Sequence, residues 1–318
     1  ADNISAGAGA DVINGFVGAD TIDGGAGVDT LVLTATSATL NTAINAQLVN
    51  LEAVSASGAA AAVTITLSSQ SEGFSLTGGA YADTLTGGAG ADNISAGAGA
   101  DVINGFVGAD TIDGGAGADT LVLTATSATL NAATDDQLEN LEAVSASGAA
   151  AAVAITLSSQ TEGFTLTGGA YADTLTGSSG ADNINAGALN DVINGFVGAD
   201  TIDGGAGADT LVLTATSDDL NSATESQLVN LEAVSASGAA AAVTITLSSQ
   251  SEGFSLTGGA FADTLTGGAG ADNISAGADD DVINGFAGAD TIDGGAGADT
   301  LVLTATSSTL NTAGDVQL

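Results

Sequence analysis

The sequence has no lysine, arginine or histidine among its 318 residues, although it has 38 aspartates and glutamates and a formal net charge of −38. Without basic side chains it cannot contact nucleic-acid phosphates, and an anionic membrane surface would repel it. Such a charge is typical of disordered chains, yet 44% of the residues are hydrophobic. The two facts are compatible if cations from solution bind the acidic side chains.

Cysteine, proline, methionine and tryptophan are also absent, and only two tyrosines and eight phenylalanines occur. The absence of cysteine excludes disulfides and leaves the redox compartment open. Without His, Cys or Lys, the chain lacks the usual acid–base and nucleophilic groups of enzymes. Paired carboxylates can hydrolyse glycosides, but no aromatic-rich segment accompanies them here. No apolar run is long enough to span a bilayer. We therefore predict a non-enzymatic protein that does not insert into membranes.

The chain is built from an internal repeat of 90 residues, in which Ala1, Ala91, Ala181 and Ala271 are equivalent. The copies span residues 1–90, 91–180 and 181–270, with a partial copy at 271–318. Each copy divides into a glycine- and aspartate-rich array and a spacer of different composition. The arrays are residues 1–32, 78–122, 168–212 and 258–302, and the spacers are residues 33–77, 123–167, 213–257 and 303–318.

The arrays consist of tandem nonapeptides, and residues 78–122 read GGAYADTLT, GGAGADNIS, AGAGADVIN, GFVGADTID and GGAGADTLV. The sixth residue is always Asp and the eighth is always Ile or Leu. Glycine permits the tight, positive-φ turns that such a repeat needs, while the aliphatic residue can point inward and stack on its equivalents. Nineteen aspartates hold the sixth position: Asp2, Asp11, Asp20, Asp29, Asp83, Asp92, Asp101, Asp110, Asp119, Asp173, Asp182, Asp191, Asp200, Asp209, Asp263, Asp272, Asp281, Asp290 and Asp299.

The pattern G-G-x-G-x-D-x-U-x, with U a large aliphatic residue, resembles the RTX, or haemolysin-type calcium-binding, repeat of secreted bacterial proteins. The resemblance implies an all-β, right-handed parallel β-roll or β-helix solenoid. The first six residues of each nonapeptide would form a turn and the last three a strand, and two nonapeptides would complete one coil. It also implies Ca²⁺ ions as partners, held by the nineteen aspartates. Within residues 78–122 the pairs would be Asp83 with Asp101, Asp92 with Asp110, and Asp101 with Asp119, completed by carbonyls of the glycine-rich turns.

Elementary electrostatics supports the same ion. Aspartates that are one coil apart along a β-solenoid lie ~4.8 Å from each other, and carboxylates at that spacing repel strongly. Calcium accepts about six to eight oxygen ligands and relieves this repulsion, whereas Mg²⁺ requires a tighter octahedron and keeps its waters. Calcium is therefore the predicted cofactor.

Some positions depart from the pattern. Leu189 replaces a usual glycine, so we expect a weakened site near Asp191. Tyr81 and Phe261 stand in the first nonapeptides of their arrays, which we expect to act as caps with poor metal binding. The ninth-position aspartates are either extra ligands or solvent-facing strand ends, and both readings stay open for Asp23, Asp113, Asp203 and Asp293. The acidic pair Asp279 and Asp280 favours a charge cluster over a second site.

The spacers predict strands with one helical excursion. Residues 127–138 predict a short helix with Leu130, Ala133, Leu138 and Leu141 on one face. Val63, Ile65 and Leu67 alternate with threonines, which is typical of a half-buried strand. We expect core positions at Phe74, Phe164 and Phe254, and solvated or backbone-bonding roles for Glu52, Glu142 and Glu232. If a spacer coil also had eighteen residues, successive copies would have identical orientation; the predicted helix argues against such regularity.

These features favour an extracellular, calcium-dependent structural protein of the bacterial surface, such as a fibre, an S-layer-like lattice or an adhesin stalk. The resemblance implies type I secretion, followed by folding on Ca²⁺ outside the cell. Self-association into fibres or lattices would suit that role, and the lack of Lys and Arg leaves trypsin-like proteases no site to cleave. The alternative is a calcium-responsive folding or secretion module of a larger RTX toxin or hydrolase. A third reading, adhesion through Thr64 and Thr66, is weak because ladders of such pairs are missing.

Overall fold

The computed structural model describes residues 1–303 and Leu310, so most of the predicted spacer 303–318 lies outside the described residues. The chain divides into two compact units, residues 1–150 and 151–318. Both are built from short strands joined by glycine-rich turns. No helix among the described residues combines the length and apolarity needed to cross a membrane.

In the first unit, all strand pairings are parallel and form three ladders. One ladder contains Asn3–Ala8, Thr21–Ala26 and Leu48–Val49. The second runs through Val12–Asn14, Thr30–Val32, Ala53–Ser55, Ser75–Gly79, Asn93–Ala98, Thr111–Ala116 and Leu138–Glu139. The third runs through Thr64–Thr66, Thr84–Thr86, Val102–Asn104, Thr120–Val122 and Ala143–Ser145. The 3₁₀ helices of this unit are Leu40–Thr42, Asn45–Gln47, Leu130–Ala132 and Asp135–Gln137.

The second unit repeats this arrangement. One parallel ladder contains Thr165–Gly169, Asn183–Gly187, Thr201–Asp203 and Leu228–Val229. Another runs through Ala154–Thr156, Thr174–Thr176, Val192–Asn194, Thr210–Val212, Ala233–Ser235, Ser255–Gly259, Asn273–Ala278 and Thr291–Ala296. The last contains Thr244–Thr246, Thr264–Thr266, Val282–Asn284 and Thr300–Val302. An α-helix spans Asp218–Asn221 and a 3₁₀ helix spans Glu225–Gln227. The predicted all-β, parallel β-roll with little helix is confirmed.

The array has the register that the nonapeptide predicts. Ile94 pairs with Ile112, and Ile103 pairs with Leu121, so each strand lies beside the strand that is two nonapeptides further on. Consecutive strands therefore alternate between two ladders, and two nonapeptides make one coil. The eighth-position residues are buried, except Ile4 and Leu301 in the first and last nonapeptides, and they stack in register. This explains why a single large aliphatic residue per nonapeptide suffices to form a core.

The spacers confirm the predicted strands but not the single helix. Residues 127–138 instead form two separate 3₁₀ helices, and Leu138 belongs to a strand that pairs with Ile112. Thr134, between the two, has an extended backbone. The four predicted apolar positions are nevertheless buried, as are the three predicted phenylalanines. The predicted burial of these residues is therefore confirmed, but they face the core from short, separate turns rather than from one helix.

Spacer coils are longer than array coils, so the condition for identical orientation, eighteen residues per spacer coil, is not met. Thr30 pairs with Ala53, and Ile22 pairs with Leu48, spacings of 23 and 26 residues. Between Thr30–Val32 and its equivalent Thr120–Val122 the chain makes nine strand-to-strand steps. Because successive strands alternate between ladders, an odd number of steps places the two equivalent strands in different ladders of the first unit. The same count separates Thr210–Val212 from Thr300–Val302 in the second unit.

The Leu189 departure has a visible backbone effect. Leu189 has a φ of 71°, in the left-handed region, where the equivalent residue in the preceding copy is Gly99. The strand before it ends at Gly187, whereas the equivalent strand Asn93–Ala98 is one residue longer. The side chain of Leu189 is 56% exposed and gains little from packing. A β-carbon in the left-handed region is unfavourable by roughly 1–2 kcal/mol.

We expect Leu189→Gly to raise the free energy of unfolding by about 1 kcal/mol, because glycine removes that steric penalty. Urea unfolding followed by circular dichroism in saturating calcium measures the change. The matched control is Leu189→Ala, which removes the exposed side chain but keeps the β-carbon. An equal gain in both variants would show that the exposed side chain, not the backbone, is responsible.

Candidate functional site

The sixth-position aspartates form rows along the edges of the solenoid. In the array 78–122, Asp83, Asp101 and Asp119 lie in one row, and Asp92 and Asp110 lie in another. We call these the three-aspartate row and the two-aspartate row. All five side chains are buried, although they belong to turns. Across the chain, sixteen of the nineteen predicted ligands are buried; Asp2, Asp11 and Asp299 are more exposed.

One hydrogen bond connects neighbouring coils throughout these rows. The backbone N–H of Asp83 donates to Oδ1 of Asp101 at 2.6 Å, and that of Asp101 donates to Oδ1 of Asp119 at 2.7 Å. In the other row, the N–H of Asp92 donates to Oδ1 of Asp110 at 2.9 Å. The structure therefore brings together the three aspartate pairs that the sequence predicted, and each carboxylate orients the turn of the coil before it.

The two rows differ at the second carboxylate oxygen. In the two-aspartate row, Oδ2 of Asp92 accepts from the N–H of Gly88 at 2.7 Å, and Oδ2 of Asp110 accepts from that of Val107 at 2.8 Å. Asp83, at the start of the three-aspartate row, is satisfied in the same way by Gly79 at 2.6 Å. These carboxylates use both oxygens within the protein.

Elsewhere in the three-aspartate rows, the second oxygen has no hydrogen-bond partner although it is buried. Asp101 and Asp119 share this feature in the array 78–122, and so do the equivalent residues of the other arrays except Asp299, which is less buried. The unpartnered Oδ2 atoms are those of Asp11, Asp29, Asp101, Asp119, Asp191, Asp209 and Asp281. A buried carboxylate oxygen without a donor is strongly unfavourable, so each is an acceptor that a cation would satisfy.

Burial raises the pKa values of these groups. Burial raises the pKa of Asp101, opposed by the N–H of Asp83, and the charge of Asp83 adds to the rise. The pKa of Asp119 is also raised by burial and by the charges of Asp101, Glu142 and Asp113. Burial, together with neighbouring negative charges, raises the pKa to about 6 for Asp191 and for Asp200. The pKa is raised in the same direction, chiefly by burial, for Asp92, Asp110, Asp182, Asp209, Asp272, Asp281 and Asp290.

Two groups outside the sixth position also take part. The carboxylate of Asp113 accepts from the side-chain amide of Asn140 at 2.8 Å, and Asn140 has a φ of 50°. Glu142 accepts the backbone N–H of Asp119 at 2.7 Å, which confirms its predicted backbone-bonding role. The sequence did not reveal the Asp113–Asn140 contact, because the two residues are separated by an irregular spacer coil.

The donors fit a hard cation that is bound by few carboxylates and completed by the backbone. Among the residues that the structure describes, no three acidic side chains converge into a metal-binding group. The rows instead present a carboxylate from each of two coils, with unpartnered oxygens buried beside glycine-rich turns. All these donors are oxygens, the ligands that calcium prefers.

The raised pKa values predict an unusual pH dependence for the metal-free protein. A carboxyl group whose pKa is higher in the folded state binds its proton more tightly there. That contribution to stability is complete below the ordinary pKa of 3.8 and is lost as pH rises through about 6. After removal of calcium, acidification from about pH 7 to about pH 5 should therefore shift the chain towards the folded state, measured as a gain of strand signal in circular dichroism. A strand signal that falls with acidification in this window would contradict the prediction.

The two rows also predict opposite effects for one substitution. Asp110→Asn replaces an oxygen that accepts an N–H with an amide donor, so the metal-free protein should lose about 1–3 kcal/mol. Asp119→Asn removes a buried charge with an unpartnered oxygen, so the metal-free protein should be equally stable or more stable. Folding of both variants by a stabilising osmolyte in the absence of calcium, followed by circular dichroism, measures the difference. Equal destabilisation would show that Oδ2 of Asp119 is not an unsatisfied group.

Comparison with known proteins agrees with this geometry. A search of the curated proteins found no significant match. The model of the family described as "RTX calcium-binding nonapeptide repeat (4 copies)" matches residues 1–31, 75–103, 86–121, 165–193, 179–211, 255–283 and 267–301. These segments cover more than half of the chain and coincide with the four aspartate arrays. The chain belongs to the family of RTX calcium-binding nonapeptide repeats.

Proposed function

We propose that this protein is an extracellular structural protein of the bacterial surface that folds when Ca²⁺ binds after secretion. The single observation that carries the proposal is the set of buried, unpartnered carboxylate oxygens in a chain with no basic side chain. No side chain of the protein can neutralise these carboxylates, so an external cation has to do so. The nineteen sixth-position aspartates are the proposed ligands, together with backbone carbonyls of the turns.

The three-aspartate rows are the strongest part of this proposal. Asp101 and Asp119 each keep one oxygen for the backbone of the preceding coil and have one buried oxygen free. Bound calcium would neutralise neighbouring carboxylates that otherwise repel each other across adjacent coils. Asp92 and Asp110 would bind less readily, because their oxygens already accept N–H groups.

A surface role follows from the repetition and from the chemistry of the environment. Proteins with RTX repeats are typically secreted and bind calcium outside the cell. A chain that requires calcium would stay unfolded in the cytosol, where free calcium is low, and would fold outside. Near-identical copies build repeated surfaces rather than one unique pocket, which favours a fibre, lattice or stalk over an enzyme. Self-association is part of this proposal.

A calcium-responsive folding or secretion module of a larger RTX toxin or hydrolase is the second candidate. The observation that favours it is the same dependence on an external cation, because a secretion module needs to be unfolded inside the cell and folded outside. The three near-identical 90-residue copies favour the structural role, since a module serving a catalytic domain needs only one array.

Calcium removal tests the proposal. We expect circular dichroism of the chelator-treated protein to show little strand signal, and millimolar CaCl₂ to restore it. Protection against a protease that cleaves after Glu should appear in parallel. The same ionic strength of MgCl₂ is the control, because general screening of the net charge of −38 would act with either salt. A strand signal that is unchanged by chelation would overturn calcium-dependent folding.

The two candidate roles are then distinguished on cells that produce the protein. For a structural surface protein, antibodies should label intact cells evenly, and sedimentation velocity should show calcium-dependent self-association of the purified chain. A secretion module should remain monomeric in calcium and should be found attached to a catalytic domain in the culture medium.

A further inference from the structure

The strongest unexplained feature lies where each array meets its spacer. The last aspartate of the three-aspartate row has no following nonapeptide, so its row should end there. The backbone N–H of Asp119 nevertheless donates to a carboxylate of the next coil, that of Glu142, at 2.7 Å. Asp29 donates to Glu52 at 2.8 Å, and Asp209 donates to Glu232 at 2.7 Å. A spacer glutamate thus takes the place of the next aspartate after each of the first three arrays.

A second, independent observation points to a ligand at this junction. Asp119 is fully buried, and its Oδ2 has no hydrogen-bond partner. Asp29 and Asp209 have the same burial and the same unpartnered atom. Each is therefore an acceptor without a donor, in contact with a coil that supplies another carboxylate.

The local backbone brings a carbonyl oxygen close to this carboxylate oxygen. Gly114 packs so closely against both that a β-carbon built on it would lie 2.1 Å from the carbonyl oxygen of Asn140 and 2.9 Å from Oδ2 of Asp119. The spacer carbonyl and the array carboxylate therefore converge on one side of Gly114, where only glycine fits. Inside the array, the same position at Gly78 is flanked by the carbonyl of Ala96 and Oδ2 of Asp83. The spacer therefore reproduces a turn of the array with Asn140 in place of Ala96.

Other contacts fix the spacer turn in this position. Asn140 is held in the left-handed region, with its side-chain amide donating to Asp113. The carbonyl of Asp119 accepts the backbone N–H groups of Glu142 and Ala143 at 3.2 and 3.1 Å. The equivalent side-chain contact joins Asn50 to Asp23 and Asn230 to Asp203, both at 2.8 Å. The donors are thus placed by the fold, and the surrounding charges of Asp113 and Glu142 are all negative.

We infer that a divalent cation binds at each of these array–spacer junctions. The residue pairs that hold it are Asp29 and Glu52 in the first copy, Asp119 and Glu142 in the second, and Asp209 and Glu232 in the third. Its ligands are the free carboxylate oxygens of the two residues and the carbonyl of Asn140 or its equivalent. The family match ends at residues 31, 121 and 211, so these glutamates lie outside it. The inference rests on the proposed function, because it takes calcium as the ion. The junction ion fastens the first spacer coil to the last array coil.

The test counts the calcium ions bound to the full chain, by equilibrium dialysis and elemental mass spectrometry. Glu142→Gln should bind one ion fewer than the wild type, and the combined Glu52→Gln, Glu142→Gln and Glu232→Gln variant should bind three fewer. Glutamine keeps an oxygen that can accept the N–H of Asp119, so a role confined to that hydrogen bond predicts no loss. The stabilisation by calcium, measured by urea unfolding at increasing calcium concentrations, should also fall.

Glu139→Gln is the matched control. It removes the same charge three residues away, at an exposed position that is valine in the first and third copies, Val49 and Val229. It should bind as many ions as the wild type. If the triple variant does not fold, the single Glu142→Gln variant decides. A full complement of ions in Glu142→Gln overturns the junction site, while a wild-type chain that binds no calcium overturns the proposed function itself.

Discussion

The fold depends on one interaction, the hydrogen bond from the backbone N–H of an aspartate to the carboxylate of the aspartate in the next coil of its row. It sets the spacing of successive turns and aligns the strands that follow them, as the bond from Asp83 to Asp101 does. It also carries the buried carboxylate into a turn that has no basic group. The same contact therefore organises the solenoid and creates its charge problem. A bound cation would neutralise the buried charge without breaking the hydrogen bond, because a carboxylate has two oxygens and the hydrogen bond uses only one.

The spacers extend this scheme with different residues and longer coils. Their strands continue the ladders, and their extra residues leave the sheets as short helices, 3₁₀ except for Asp218–Asn221, rather than adding a second core. Glu142 takes the contact that an aspartate makes in the array, with a longer side chain matched to a coil of 23 residues between Thr120 and Ala143. The spacer is thus a variant of the same solenoid coil. Its length also makes equivalent strands of neighbouring copies fall in different ladders within each unit, so an outward-facing feature of one copy recurs on the other sheet.

Much of the array could be predicted from sequence, because one residue type at each position decides its role. The resemblance of its strict period of nine to the RTX repeat implied the aspartate pairs and the parallel ladders, and the stacking of Ile94 on Ile112 follows from the aliphatic eighth position. The spacers were less predictable because their periodicity is broken. The spacing of Leu130 and Ala133 fits one helical face, yet extended residues separate two short turns, and only the tertiary contacts distinguish these arrangements. The difference between the two aspartate rows was also hidden. It depends on whether an N–H three or four residues earlier reaches Oδ2, which the nonapeptide pattern does not specify.

That difference bears on how the chain could fold. If every carboxylate oxygen were satisfied by backbone N–H groups, the solenoid would be stable without metal and calcium would add little. If none were satisfied, the turns would have no fixed geometry before the ion arrives. The structure combines the two: Asp92 and Asp110 fix their turns by four N–H contacts, while Asp101 and Asp119 keep unpartnered oxygens one coil apart. We propose that the satisfied row holds the turns in place while the unsatisfied row makes their stability depend on an external cation, so that the two edges of the same coils serve shape and calcium dependence separately.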